Sequence, residues 1–348
     1  MPRLIKLSNP KKTRSSNTPI HRHIVSGLLV GLFVALSVFL FPSFLSFIIQ
    51  DTKSDAIVKP FPISVNPHTQ LIVENPEADL YFQSETAFQT DTRSRTSDFF
   101  GQIATAISSI PGYSLLGSAG IRFVTVYPGF RQEEVVRAFD RVLSWDKKTE
   151  QSFIETFDNT KNSVSEGKFI PGTYVIEGSP SVDEIHAMIQ SRFEETIADR
   201  YSAETENIVP LHQALTIASM LERETNSPEE MRIISGIIWN RLWNNMPLQI
   251  DATLQYAKST ANKGKGGQWW PKVVPNDKYI KSPYNTYANK GLPPAPISNP
   301  SIAAVVAAIN PKQTDCVFYF HDKKGIFYCT PTYEEHVALL KKYYGQGK

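Results

Sequence analysis

The sequence predicts an α+β protein behind a single amino-terminal transmembrane helix, and three observations carry that expectation. Residues 24–49 read IVSGLLVGLFVALSVFLFPSFLSFII, a run without one charge. Several later segments space their apolar residues at the 3.6-residue period of helices. Between and after them lie short runs of β-branched and aromatic residues bounded by glycine, proline or polar turns, which read as strands. The 348 residues, 41% hydrophobic and 20% charged, suit two or three small folded domains. A net charge of +2 gives no reason to expect a nucleic-acid partner.

The first 23 residues carry Arg3, Lys6, Lys11, Lys12, Arg14 and Arg22 and no acid. The uncharged run after them is long enough to cross a hydrocarbon core of about 30 Å. It exceeds the roughly 7–15 apolar residues of a cleaved signal peptide, and Pro42 is tolerable in a membrane helix. The basic flank predicts a cytoplasmic amino terminus and places residue 51 onward outside the cytoplasm. The expected layout is a basic tail at 1–23, a transmembrane helix at 24–49, a membrane-proximal segment or subdomain at 50–120, a small α+β module at 121–200 and a chemical domain at 201–348.

In the membrane-proximal part, QLIVENPEADLYFQ reads as two short strands around a turn and Phe99 to Ile110 as an amphipathic helix. From Ile121 the pattern sharpens. RFVTVYPG is a strand, and FRQEEVVRAFDRVL is a helix facing Val135, Val136, Phe139 and Val142 inward. GKFIPGTYVIEG is a second strand, and SVDEIHAMIQSRFEETIADRY a second helix opened by the capping-box pair Ser181 and Glu184. A glycan-holding module and a spacer both fit this unit.

The chemical domain centres on PLHQALTIASMLERET, Pro210 to Thr225, a helix entered through its proline. Leu211, Leu215 and Ala218 mark its apolar stripe, and Glu222 falls roughly 20° from Leu211 on the wheel. Glu224 points almost the opposite way, which suggests a salt-bridge or helix-end role. A carboxylate on a core-facing stripe either finds a partner or has its pKa raised, and a raised pKa is what a general acid needs near neutral pH. The competing reading is a structural Glu222 that caps a helix or pairs with an arginine such as Arg241.

Ser227 and Glu230 form a second capping-box pattern before MRIISGIIWNRLW. In PLQIDATLQYA, Gln249 and Asp251 alternate with apolar residues, so both point to one side of a short extended segment. Trp269 and Trp270 sit in a glycine- and lysine-rich loop, suited either to stacking on sugars or to a hydrophobic clasp. SPYNTYANKGLPPAPISNPS is a run of turn-formers in which Tyr284, Asn285, Thr286 and Tyr287 suit the wall of a cleft. Cys316 and Cys329 bracket an aromatic hairpin around HDKKG and face each other if it is symmetric; a disulfide and two buried thiols both fit. No histidine pair has metal-ligand spacing, and there is neither a P-loop nor a GxSxG elbow, so no metal or cofactor is expected.

Several motifs then match one family in order. ASMLERET, NRL, LQIDAT, SPYNTY, GLPPAPISNP and the hairpin ending in CTPTYEEH, across roughly 209–342, resemble the YceG-like (MltG-type) endolytic murein transglycosylases. VYPGF and FIPGTYVI, within about 124–195, resemble that family's LysM-like module, and the single membrane helix agrees. Ala252 stands where the family often has proline, and Ala295 where it often has glycine.

The resemblance implies that residues 201–348 form a catalytic domain cutting the β-1,4 bond between N-acetylmuramic acid and N-acetylglucosamine, with Glu222 as acid and then base. The product carries a 1,6-anhydro end. Ser219, Gln249, Asp251, Tyr284, Asn285 and Thr286 are the expected substrate contacts, Asp251 orienting Glu222 or the sugar. The expected partners are peptidoglycan glycan strands and the inner (cytoplasmic) membrane, with peptidoglycan synthases or division and elongation proteins left open. Two other readings stay open: a muramidase-type hydrolase using Glu222 and Asp251, and a non-catalytic glycan-binding scaffold.

Overall fold

The structure is a computed structural model that describes residues 59–90, 121–158, 165–262, 264 and 268–345, with residue 29 on its own. The transmembrane expectation for 24–49 and the helix expected from Phe99 to Ile110 lie outside the described residues, residue 29 excepted. Among the described residues, no helix is long and apolar enough to cross a membrane.

Three two-stranded antiparallel ladders are set on a helical frame. The first pairs β1 (Val65–Asn66) with β2 (Leu71–Ile72), placing Val65 opposite Ile72. Only one of the two strands expected around this turn's carboxyl side forms, because a helix, α1 (Pro76–Thr90), begins at once. Pro76 is pre-set for the first helical position, and the Asn75 side chain accepts the Glu77 N–H at 2.9 Å.

The second unit runs β3 (Arg122–Val126), α2 (Gln132–Leu143), α3 (Lys147–Asp158), β4 (Gly172–Ile176) and α4 (Val182–Thr196). β3 and β4 pair antiparallel with Val124 opposite Tyr174, so two helices are held between the strands. Val135, Val136 and Phe139 of α2 turn inward as the periodicity requires and join Phe153, Tyr174, Ile185 and Ile189 in a core of their own. The helix α3 is additional to the sequence expectation. KKTEQSFIETFD is mostly polar, and its fully buried anchor is Phe153. Both bonds of the Ser181–Glu184 capping box are present, at 3.3 and 2.7 Å.

The third unit contains α5 (Ala203–Ile208), α6 (Leu211–Glu224), α7 (Pro228–Trp243), α8 (Asp251–Ala261), α9 (Ile302–Ile309), the hairpin β5 (Phe318–His321) and β6 (Phe327–Thr330), and α10 (Tyr333–Tyr344). Its axis is α9, IAAVVAAI, which is apolar on every side and therefore buried from Ala303 to Ile309. It packs against both α6 and α7. The carbonyl of Ala308, left without a helical partner at the end of α9, accepts the Trp239 indole N–H at 2.9 Å and the Ser235 hydroxyl at 3.3 Å. Gly236 makes room for the chain leaving α9, since an added Cβ would stand 2.3 Å from the Lys312 carbonyl.

Four expectations are corrected here. The segment from Asp251 is a helix and not an extended strand, because an acid at its first position and a glycine- and proline-free run follow. α9 emerges from the end of a run read as turns. The second capping box is half made: Ser227 accepts the Glu230 N–H at 3.3 Å, while the Glu230 carboxylate binds Thr225 Oγ1 at 2.6 Å and pairs with His321 at 3.2 Å. The cysteines are bonded, with Cα atoms 5.7 Å apart, but not as a cross-strand pair. Cys329 lies opposite Tyr319, and Cys316 joins it from the segment before β5.

Candidate active site

The two acids of ASMLERET leave the end of α6 in different directions. Glu222 turns toward the start of α9, where its Oε2 accepts the Ser301 N–H at 2.8 Å and the Ser301 hydroxyl at 2.6 Å. Ser301 is itself the N-cap of α9, its Oγ accepting the Ala304 N–H at 3.2 Å. Burial pushes the Glu222 carboxyl pKa up, and these hydrogen bonds pull against it.

Glu224 lines a cavity of about 360 Å³ under the β5–β6 hairpin. Gln249, Asp251, Arg241, Tyr287 and Tyr319 share that cavity, and Phe318, Phe320, Tyr333 and His336 extend it as an aromatic wall. Glu222 is not among the lining residues. Burial raises the Glu224 pKa most, the nearby Asp251 adds to the rise, and the Tyr319 hydroxyl, donating to Oε2 at 2.9 Å, opposes it. As the last residue of α6, Glu224 also stands at the negative end of a helix dipole, which further disfavours its ionised form. The expected placement of Glu224 away from the cleft is therefore reversed. The stripe of α6 that carries Glu222 is the stripe that packs on α9, so following it leads into the core, whereas the cleft opens on the other side. α6 is in fact buried on all faces from Ala214 to Leu221, which leaves the wheel little power to choose.

The expected substrate contacts separate into two groups. Gln249 and Asp251 both line the cavity, from a turn and the start of a helix and not from the extended segment that their spacing suggested. Gln249 does so from a left-handed backbone conformation with φ 54°, a strained geometry for a residue with a side chain. Asp251 accepts the Tyr287 hydroxyl at 2.6 Å. The others face away. Ser219 is 0% exposed, and its hydroxyl donates to Thr216 O at 2.8 Å while accepting the Ile297 N–H at 3.0 Å, so it joins α6 to the chain entering α9. Asn285, also 0% exposed, donates to the Lys278 and Ile280 carbonyls and accepts the Tyr287 N–H, holding its own turn closed. Thr286, 1% exposed, takes the Ile250 N–H on its hydroxyl at 3.0 Å and the Gln249 N–H on its carbonyl at 3.1 Å. Asn285 and Thr286 thus brace the strained turn that presents Gln249 and Asp251. Tyr284 packs against Tyr256, 4.7 Å between ring centroids, outside the cavity lining.

Arg241 does not pair with Glu222. Its guanidinium donates to the carbonyls of Val317, Pro247 and Leu248 at 2.6, 3.0 and 2.7 Å, tying the hairpin to the Gln249 turn across the cavity. Tyr287, expected on the cleft wall, does line the cavity, while the sequence reading gives Arg241, Tyr319 and His336 no place in it. The alternation of the aromatic strand could have singled out Tyr319. His336 closes the CTPTYEEH motif, which carries the family resemblance without giving the histidine a role. The tryptophan loop is a clasp. The Trp270 indole donates to Glu134 at 3.0 Å under the Arg223 guanidinium, and Trp269 lies beneath Arg131 and Arg137.

Arg131 and Asn299 fasten the β3–β4 unit to the third unit. Arg131, 1% exposed, donates from α2 to Thr260 of α8 at 3.0 Å and also reaches Ser259. Asn299, 0% exposed, accepts the Gly167 and Phe169 N–H groups and donates to Phe130 O and to Glu166. Among the described residues, no group of three or more His, Cys, Asp or Glu side chains is placed to hold a metal ion.

The site is thus a buried carboxyl in an aromatic, polar cleft of a mixed helix–strand frame with a small unit clamped to it. The chain belongs to the YceG-like family, whose sequence model matches residues 87–342. It is 30% identical over 250 residues to a protein of Bacillus subtilis (strain 168) named endolytic murein transglycosylase, an alignment covering 65% of this chain and 67% of that one. It is 32% identical over 174 residues to a protein of the same name from Streptococcus pneumoniae serotype 2 (strain D39 / NCTC 7466), spanning 49% of this chain and only 31% of that longer one. The crystal structure of a YceG-like protein from Listeria monocytogenes superposes with a TM-score of 0.55 at 26% identity, covering 62% of this chain and 75% of the other.

Proposed function

We infer that this protein is an endolytic murein transglycosylase, a lyase that cuts peptidoglycan glycan strands internally. The observation that carries the reading is the Glu224 cavity: a carboxyl made hard to ionise by burial, by Asp251 and by its helix end, set among hydrogen-bonding side chains and aromatic faces. Such a group protonates a leaving glycosidic oxygen near neutral pH. In a transglycosylase the bond between the muramyl C1 and the glycosidic oxygen breaks as Glu224 gives up its proton. The resulting carboxylate takes the proton of the muramyl 6-hydroxyl while O6 bonds to C1. One carboxyl serves both transfers, no water is consumed, and a 1,6-anhydro end remains.

Gln249 and Asp251 are the proposed substrate contacts, and Asn285 and Thr286 their supports. The unit at 121–200, two helices between paired strands, is proposed as a LysM-like glycan holder. The uncharged run at 24–49 is proposed as a membrane anchor with its basic flank in the cytoplasm and the catalytic domain outside. Wall-synthesis, division and elongation proteins remain proposed partners of the anchored chain.

Glu222 is the second candidate for the acid, favoured by its raised pKa. Its Oε2 is occupied by two donors at the start of α9, the environment of a structural cap. Separate Glu222→Gln and Glu224→Gln variants decide between them. Loss of cleavage in Glu224→Gln alone supports the present assignment, and loss in Glu222→Gln alone reverses it. Reducing ends in place of anhydro ends would favour a hydrolase that uses Asp251.

A further inference from the structure

The Tyr319 phenol occupies one of the two oxygens of the proposed acid. Tyr319 lies on β5 opposite Cys329, whose disulfide to Cys316 staples the base of the hairpin. Its ring stacks on Phe327, 5.9 Å between centroids, and its hydroxyl donates to Glu224 Oε2 at 2.9 Å. The ring is thus fixed from two sides, and the donor reaches only one carboxyl oxygen.

We propose that Tyr319 is a positioning residue for Glu224, holding Oε2 by its hydroxyl so that Oε1 is the oxygen that carries and delivers the proton. This rests on the reading of Glu224 as the acid. An undirected carboxylic acid places its proton on either oxygen, and half of those arrangements aim it away from the bond to be cut. A hydrogen bond accepted by Oε2 is compatible with a proton on Oε1 and competes with one on Oε2 itself. After the proton has left, the same bond favours the carboxylate that must accept the next one.

The other charged or titratable groups facing Glu224 do not duplicate this contact. Arg223, on the same helix, stacks on Trp270, and Arg241 from α7 donates to backbone carbonyls and to Gln249 Oε1 at 3.5 Å. Asp251 from α8 is held by Tyr287. His321 on β5 pairs with Glu230, and His336 on α10 stacks on Phe318. Burial pushes the phenol pKa of Tyr319 well above its usual value, so it is a donor throughout the working range.

The test uses the full chain in detergent, glycan strands as substrate and glutamate labelled with carbon-13 at the side-chain carboxyl, the Glu224 signal being the one missing from Glu224→Gln. In Tyr319→Phe the Glu224 titration midpoint should rise by about one unit, a tenfold change in ionisation constant. The alkaline limb of kcat/KM should move up with it, and the plateau kcat should fall. A variant that keeps the wild-type melting temperature with both midpoint and limb unmoved overturns the proposal, because a merely structural tyrosine would change the rate without moving either. If Tyr319→Phe does not fold, 3-fluorotyrosine at position 319, a stronger donor, should lower both midpoint and limb, and no shift overturns the proposal. Wild-type cleavage by Glu224→Gln would remove the acid assignment itself. An inactive Glu224→Gln beside an unshifted Tyr319→Phe removes only the role of Tyr319.

Discussion

Replacing Asn299 with alanine strips four hydrogen bonds from the junction between the β3–β4 unit and the third unit. Its Oδ1 accepts the Gly167 and Phe169 N–H groups at 2.8 and 3.0 Å, and its Nδ2 donates to Phe130 O and Glu166 Oε1, both at 2.9 Å. The site is 0% exposed, and the neighbouring Gly167 sits at φ +92° where a Cβ would meet Pro296 at 2.7 Å, so the chain has little freedom to close the gap. Each buried donor left without an acceptor costs about 1–3 kcal/mol. Two such N–H groups, partly relieved by a water entering the vacated space, give an expected loss of about 3 kcal/mol. At roughly 2–4 °C per kcal/mol for a chain of this size, the melting temperature should fall by about 6–12 °C. Asn299→Asp separates the terms, since it restores the acceptor for both N–H groups but places a second carboxyl against Glu166, and should therefore recover stability as the pH is lowered. Thermal unfolding followed by circular dichroism reads both variants. A melting temperature within about 1 °C of wild type for Asn299→Ala would refute the reasoning that these bonds hold the junction.

Two further outcomes follow from the same contacts. Glu166 is buried with one carboxyl oxygen unpaired, and burial raises its pKa well above the unfolded value of 4.5. The unfolded chain thus releases this proton first as pH rises, so stability declines from about pH 4.5 up through the folded pKa and is greater on the acid side. Glu166→Gln should melt higher than wild type at pH 8 and converge with it near pH 5; parallel curves across that range would contradict the assignment. Reducing the Cys316–Cys329 bond, which closes a loop with sequence separation 13, should cost about 3 kcal/mol by loop entropy and loosen the hairpin over the cavity. Activity and melting temperature should fall together in dithiothreitol and in the double Cys→Ala variant, and an unchanged pair of values would show that the hairpin holds without it.

Much of the frame was legible because local chemistry and global fold agree. Pro210 and the apolar spacing after it delimit α6 to within a residue, and Ser181 with Glu184 starts α4 as expected. Val135, Val136 and Phe139 face their core for the same reason. What was illegible is tertiary. α9 is apolar on every side and so has no stripe to read, yet it decides what Glu222 touches. The direction of α6 toward the cleft depends on where the β5–β6 hairpin leans, a contact nearly a hundred residues away that no helical wheel contains. Gln249 and Asp251 both line the cavity, but from a left-handed turn and a helix start that period-two spacing does not describe. Asn285 and Thr286 were misjudged because hydrogen-bonding side chains in a turn look alike whether they face a ligand or the backbone beneath it.

The proposed role of Glu224, acid of a water-free strand cleavage in the cavity it shares with Gln249 and Asp251, leaves a direct chemical signature. Mass spectrometry of products from purified glycan strands, incubated with wild type, Glu222→Gln and Glu224→Gln, tests it most directly. Wild type and Glu222→Gln should leave 1,6-anhydro-muramyl ends, and a folded Glu224→Gln should leave none. Anhydro ends made by Glu224→Gln at the wild-type rate would contradict it.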